Sequence, residues 1–253
     1  PLDPLDNKAR TDIYVNSLRV GEMVDVLKII FERKVARMYI GKREVYDAAG
    51  GVFTVQDSVL SNPNYSIEDY GTTNPRAVLF VRGYCYFVDL NAGAVIRNTN
   101  NGSYPISGKA DAGGEGADYK MHSFFRDTCA NALKWNHLSP YSVMLGWDDG
   151  RKLLYVSIIQ SGLSEYTVAF RESRGRWVSF LDFRSDPDGD EVYYPTCYQW
   201  AGNKFYSWLD GSDSVWSHTH TASIPLLIYG HAKTSEVRVW GNAQPNMLKV
   251  FDS

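Results

Sequence analysis

Gly83-Tyr84-Cys85-Tyr86-Phe87-Val88-Asp89, followed by Leu90-Asn91-Ala92 and then Gly93-Ala94-Val95-Ile96-Arg97, is the stretch on which the fold reading turns. Two short runs of aromatic and β-branched residues are separated by Asp, Asn and Gly, the residues that supply tight turns. That is how a hairpin between strands is written. The same alternation of run and turn fills the chain from Gly50 onward: Val78–Val88, Ala94–Asn98, Ser142–Leu145, Leu153–Ile159, Thr167–Arg171, Trp177–Phe183, Tyr193–Trp200, Lys204–Leu209 and Ser214–His218. Helix is expected there once, over Thr128–Trp135 with Asp127 as its N-cap.

Three strands share a pattern of a turn followed by a run around Val or Trp: Gly93–Ile96, Gly175–Val178 and Asp213–Trp216. Their spacing lies close to one or two times the roughly 40–50 residues of a propeller blade. Each follows an aromatic strand, namely Gly83–Asp89, Arg151–Val156 and Asn203–Trp208. The expected fold is therefore mostly β, with β-propeller-like blades set against a sandwich as the alternative. Val95, Trp177 and Trp216 are expected at matching, buried positions in successive blades. Phe53 to Thr221 would hold roughly four blades, the low end of the usual range. The propeller is expected to be incomplete within this chain, with other segments completing the ring.

Working outward, the stretch to about Asn16 is polar and reads as an irregular arm. Val20, Met23, Val24, Leu27 and Phe31 fit a short amphipathic helix, and two strands fit equally well; Val35–Ile40 then reads as a strand entering a turn at Gly41-Lys42. At the other end Glu236–Trp240 alternates charged and apolar residues. With Met247–Phe251 it forms an expected C-terminal hairpin that joins another sheet. The expected divisions are a mixed N-terminal segment over 1–47, a propeller-like domain over 48–222 and C-terminal strands over 223–253.

Composition narrows the function classes. A hydrophobic share of 44% over 253 residues supports a sizeable core. The longest apolar runs, such as Ile224–Tyr229, fall well short of the roughly 18 residues of a spanning helix, so no membrane span is expected. A formal charge of -3 gives no field to drive binding to DNA or acidic lipid. Cys85, Cys129 and Cys197 are widely spaced and read as reduced, buried thiols rather than a disulfide framework or zinc knuckle. Pro1-Leu2-Asp3-Pro4 resembles neither a secretory nor a transit peptide, and the chain reads as a piece of something longer.

Tyr39-Ile40-Gly41-Lys42-Arg43-Glu44-Val45-Tyr46 and Gly50-Gly51-Val52-Phe53-Thr54-Val55-Gln56-Asp57-Ser58-Val59 resemble the large tail muzzle (nozzle) proteins of crAss-like short-tailed bacteriophages. The resemblance continues through Asn74-Pro75, Tyr86–Arg97, Met121–Asp127, Leu145-Gly146-Trp147-Asp148, Thr167–Phe170 and Trp177–Phe180, covering roughly 37–240. It implies a structural virion protein, made in the host cytoplasm, on a β-propeller at the distal end of the tail. Such a protein gates DNA ejection, and its implied partners are other copies of itself and other tail proteins. DNA in the tail channel and host-surface glycans are further candidate partners. The family implies no catalytic residues, and this chain is much shorter than its members.

Asp186-Pro187-Asp188-Gly189-Asp190-Glu191 alternates carboxylates around a Gly as calcium loops do, but lacks the bidentate Glu closing a twelve-residue loop, and reads as a solvated turn. Asp210–Trp216 resembles the Asp-box turn of sialidase-type propellers, a structural feature. His218 and His220, with His231 beyond, could hold zinc only with further ligands that the sequence does not offer nearby. Asp148, Asp149, Asp182 and Asp210 could supply the carboxylate pair of a glycosidase, and equally are turn residues. Lys28, Arg33, Lys34, Arg37, Lys42 and Arg43 form the densest basic stretch, read as a solvated face or subunit contact ahead of a DNA surface. Lys109–Ala117 is a Gly-rich loop without the Lys of a phosphate-binding loop. No residue is assigned a catalytic, cofactor or metal role, and the expected class is a non-enzymatic structural protein. A sugar-binding or glycoside-hydrolysing propeller is the alternative.

Overall fold

The computed structural model describes residues 12–16, 25–40, 43–46, 52–55, 63–81, 83–99, 101–108, 121–136, 143–160, 164–183, 195–209, 214–218, 227–229 and 231–232. They are mostly β, in antiparallel sheets with one α-helix. An N-terminal sheet has the order β1 (Asp12–Asn16), β2 (Asp25–Ile30), β3 (Val35–Ile40) and β6 (Asn64–Tyr65). A separate hairpin pairs β4 (Arg43–Tyr46) with β5 (Val52–Val55). Three meanders follow, each strand pairing with the next in sequence. The first is β7 (Val78–Val81), β8 (Tyr84–Asp89), β9 (Ala94–Thr99) and β10 (Gly102–Pro105); the second is β11 (Val143–Asp148), β12 (Leu153–Gln160), β13 (Ser164–Arg171) and β14 (Arg176–Leu181). The third is β15 (Pro195–Ala201), β16 (Lys204–Leu209) and β17 (Val215–Ser217), followed by a short pair, β18 (Leu227–Ile228) with β19 (His231–Ala232).

Successive side chains of a strand point to opposite faces, and here each face finds a different neighbour. Cys85, Phe87, Ala94 and Ile96 of the first meander pack with Ile30 and Val35 of the N-terminal sheet. Tyr86, Val88 and Val95, on the opposite face, pack with Leu145, Trp147, Leu154, Val156 and Phe170 of the second meander. The second meander's other face, Met144, Leu153, Tyr155 and Ala169, meets Tyr198, Phe205 and Leu209 of the third. Two-sided burial explains why β8 and β11 are apolar runs rather than half-polar alternations. The sheets are thus stacked in sequence order, and β11 lies against the first strands of both neighbouring meanders, β7 and β15.

Helix α1 (His122–Asn136) sits in the seam between the first two meanders, against β9 and β12. Its stripe of Phe125, Cys129 and Ala132 falls at helical spacing and is fully buried. Asp127 lies inside the helix and is not its N-cap. The chain turns into the helix at Met121, whose φ is 62, with the Phe125 amide donating to the Met121 carbonyl.

Other expectations are corrected. Asp12–Asn16 is strand rather than irregular arm, and Asp25–Ile30 takes the strand alternative over the helix. Val78–Val88 is two strands around a turn at Gly83, where φ is 84. Val95, Trp177 and Trp216 do not share a register: Val95 is buried on a third strand, Trp177 partly buried on a fourth and Trp216 partly buried on a third. Cys85 and Cys129 are buried, but Cys197 is exposed. The C-terminal hairpin of Glu236–Trp240 and Met247–Phe251 lies outside the described residues.

Candidate functional site

The seam between the first and second meanders brings together ionisable groups distant in sequence. Cross-strand pairing lines up Leu79, Tyr86, Arg97 and Tyr104 as one row on the face turned toward the second meander. From the other side the short 3-10 turn Glu172–Arg174, between β13 and β14, presents Glu172. The Arg97 guanidinium donates to Glu172 Oε1 at 2.7 Å. It also lies 5.5 Å from the centre of the Tyr84 ring, a cation–π distance. Tyr84 meets Tyr86 edge-on. Nearby, Trp177 Nε1 donates across the seam to the Ile106 carbonyl.

Tyr86 Oη, Arg97 Nε and Glu172 Oε2 are buried together in this seam, with the Tyr86 phenol in hydrogen-bonding reach of both Glu172 and Arg97. Burial pushes the Tyr86 phenol far above its ordinary pKa, and the adjacent Glu172 carboxylate adds to the effect. The phenol is therefore a neutral O–H at physiological pH, a donor as well as an acceptor. At the seam's outer margin Tyr84 and Tyr104 are 38% and 46% exposed. Arg97 and Glu172 are 75 residues apart, so no local motif announces the pair.

The residues singled out from sequence have other roles. His218 shares Ser207 Oγ with Tyr229: the His218 Nε2 contact is 2.7 Å and the Tyr229 Oη contact 2.8 Å. The His218 ring stacks on Phe183 beside Phe205. Ser207 is fully buried, so this Ser–His contact is a core polar network closed to substrate. His220 lies outside the described residues, and His231 is placed only as part of β19. No group of metal-ligating side chains occurs among the described residues.

Asp148 is buried at the β11–β12 turn, accepting from the Arg151 amide and guanidinium. Asp149 accepts from Trp147 Nε1 and Lys152 Nζ. Both are turn-stabilising carboxylates, while Asp182 is half-buried and Asp210 lies outside the described residues, as do Asp186–Glu191 and Lys109–Ala117. Asp89 caps the β8–β9 turn through Ala92 N and captures Gly71 N from the loop before β7. The basic stretch is dispersed: Lys28 is buried, Lys34 pairs with Asp69 at 3.0 Å, Arg33 is exposed, Arg37 is half-buried and Lys42 lies outside the described residues.

Among the described residues no helix is long and apolar enough to cross a membrane. No family model matches the chain, and no curated protein matches its sequence.

Proposed function

We propose that the chain is a structural subunit of a bacteriophage tail muzzle, in which the sequential meanders serve as blades of a β-propeller arc. The observation that carries the reading is where the resembling motifs fall: one in the strand between neighbouring meanders and the others on hairpins within a meander. Asp89–Val95 forms the β8–β9 turn, Leu145–Asp148 lies in the strand that abuts both neighbouring meanders, and Thr167–Phe170 with Trp177–Phe180 forms the β13–β14 hairpin. Blades that meet through their first strands converge on one line, which is the arrangement a ring around a channel requires.

In this reading the chain works with further copies and other tail proteins to retain and release DNA, and its chemistry is that of assembly rather than turnover. Cryo-electron microscopy of particles tests it. The expected result is a ring of copies around the tail axis with this chain's meanders as blades. Particles lacking the chain, together with a monomer in solution, would overturn it.

A further inference from the structure

We propose that β14 takes up, as a further strand of the second meander, an extended segment of another protein whose apolar run ends in carboxylates. The proposal rests on β14 and the turn before it and does not depend on the tail reading.

An edge strand presents a row of unpaired amides and carbonyls, which proteins ordinarily blunt with Pro, charge, a bulge or a covering element. The two strands that end this sheet differ. β11 is buried along its whole length, whereas β14 exposes Arg176, Val178, Ser179 and Phe180. Val178 is 37% and Phe180 61% exposed. The Phe180 ring stands edge-on to Phe124 of α1 at 5.2 Å, so an apolar surface runs from the strand onto the helix. Val178 is the extra residue of a bulge opposite Ala169 and Phe170. Beyond it Ser179, Phe180 and Leu181 pair regularly with β13, without Pro or charge, and this is the stretch that a further strand extends. In such additions main-chain hydrogen bonds supply affinity and side chains supply specificity.

Charge selects the partner. Arg171 and Arg176 face each other across the β13–β14 pair, a like-charge pairing that costs stability, and Arg174 lies exposed on the turn between them. The carboxylates at this end of the meander are taken: Glu172 by Arg97, Asp148 by Arg151 and Asp149 by Lys152. Among the described residues none of the three arginines forms an ion pair. A strand laid antiparallel to β14, as β13 is, brings its C-terminal end to these arginines. Its chemistry is therefore an apolar run followed by carboxylates. A partner ending in lysines would meet cations of its own sign. A DNA backbone would satisfy the arginines but offers nothing to the ladder or to Val178 and Phe180.

Fluorescence anisotropy on the full chain tests the proposal, with a labelled peptide of alternating valine and threonine that ends in aspartates. It is expected to bind saturably with a Kd of about 10–500 µM. Ending the peptide in lysines, or N-methylating its valine–threonine run, should each weaken binding tenfold or more. Arg174→Glu combined with Arg176→Glu should weaken the aspartate peptide as much and favour the lysine peptide instead. Both side chains are exposed and form no ion pair, so this variant keeps the fold. No saturation by the aspartate peptide up to about 2 mM overturns the proposal, including the case in which a DNA duplex binds through the same arginines. So does binding that N-methylation leaves unchanged, because no strand would then be added. Binding that the arginine reversal leaves unchanged overturns it as well, because the partner would then not be chosen by its charge.

Discussion

Lys28 is the residue whose environment departs furthest from its sequence context. Among neighbouring basic residues it reads as surface, yet it has 0% exposure and shares a strand face with Ile30, turned into the core between the N-terminal sheet and the first meander. Its Nζ donates to Asn98 Oδ1 at 2.9 Å, and Asn98 Nδ2 donates onward to Ser103 Oγ. Burial lowers the Lys28 pKa below the ordinary 10.5, and Arg37 opposite it on β3 pushes the same way. The unfolded chain therefore binds this proton more readily than the folded one, and Lys28 makes stability fall as pH drops below about 10.5, down to its lower folded value. Cys85, raised by burial to about 12, acts with the opposite sign at alkaline pH. Lys28 and Cys85 act electrostatically on each other, so Lys28→Met is compared with the wild type below pH 9.0, the thiol's ordinary value. The stability of the variant minus that of the wild type, from urea unfolding, should grow there as pH falls toward the lowered Lys28 value. A pH-independent difference would show that Lys28 keeps its ordinary proton affinity. Strand parity with Ile30 was the one sequence clue to this burial, and it needed the strand alternative to be chosen over the helix.

Individual strands from Val78 onward were legible because Gly, Asn and Asp punctuate them. The errors came where the determinant is not local. The helix was placed late because Asp127 is a good cap by composition, whereas burial of Phe125 against Trp177, with ring centres 4.6 Å apart, requires the helix to begin earlier. Phe125→Ala should cost about 3–5 kcal/mol, while Phe180→Ala, at a site 61% exposed, should stay within about 1 kcal/mol. Equal losses in thermal unfolding would contradict this placement of the helix. β11 and β15 approach through Gly146, where an added Cβ would lie 2.5 Å from Tyr198 Cβ, at the rigid root of that side chain. Tyr198 in turn reaches Ser157 Oγ at 2.6 Å. Gly146→Ala should therefore destabilise by roughly 1–3 kcal/mol by overpacking. Adding Tyr198→Gly removes every clashing side-chain atom, so the double variant should lose less than the sum of the single ones. Strict additivity in urea midpoints would place the contact elsewhere.

At the scale of the molecule, the mostly β architecture and serial meanders could be read from turn spacing, but the register of the repeat could not. Val95, Trp177 and Trp216 share a local pattern, yet Trp177 lies on a fourth strand and the other two on third strands, because a turn followed by an aromatic run describes any strand of a meander. The seam pair Arg97–Glu172 was likewise invisible, since it arises only when two meanders stack. The second meander is covered on both faces, and β12 is an internal strand of it with Leu153–Ile158 buried throughout. Its amides should exchange with solvent more slowly than those of β14 or β17, which end their sheets. Faster exchange in β12 than in β17 would contradict the stacking order. The stacking also fixes how the chain bears load. Each meander is contiguous in sequence and each pair of strands is antiparallel, so tension on the two ends of a meander opens its ladders one hydrogen-bonded pair after another. A chain pulled lengthwise should extend in separate increments, one sheet at a time, each at low force, and resistance to pressure or traction must come from neighbours that clamp the sheets side by side.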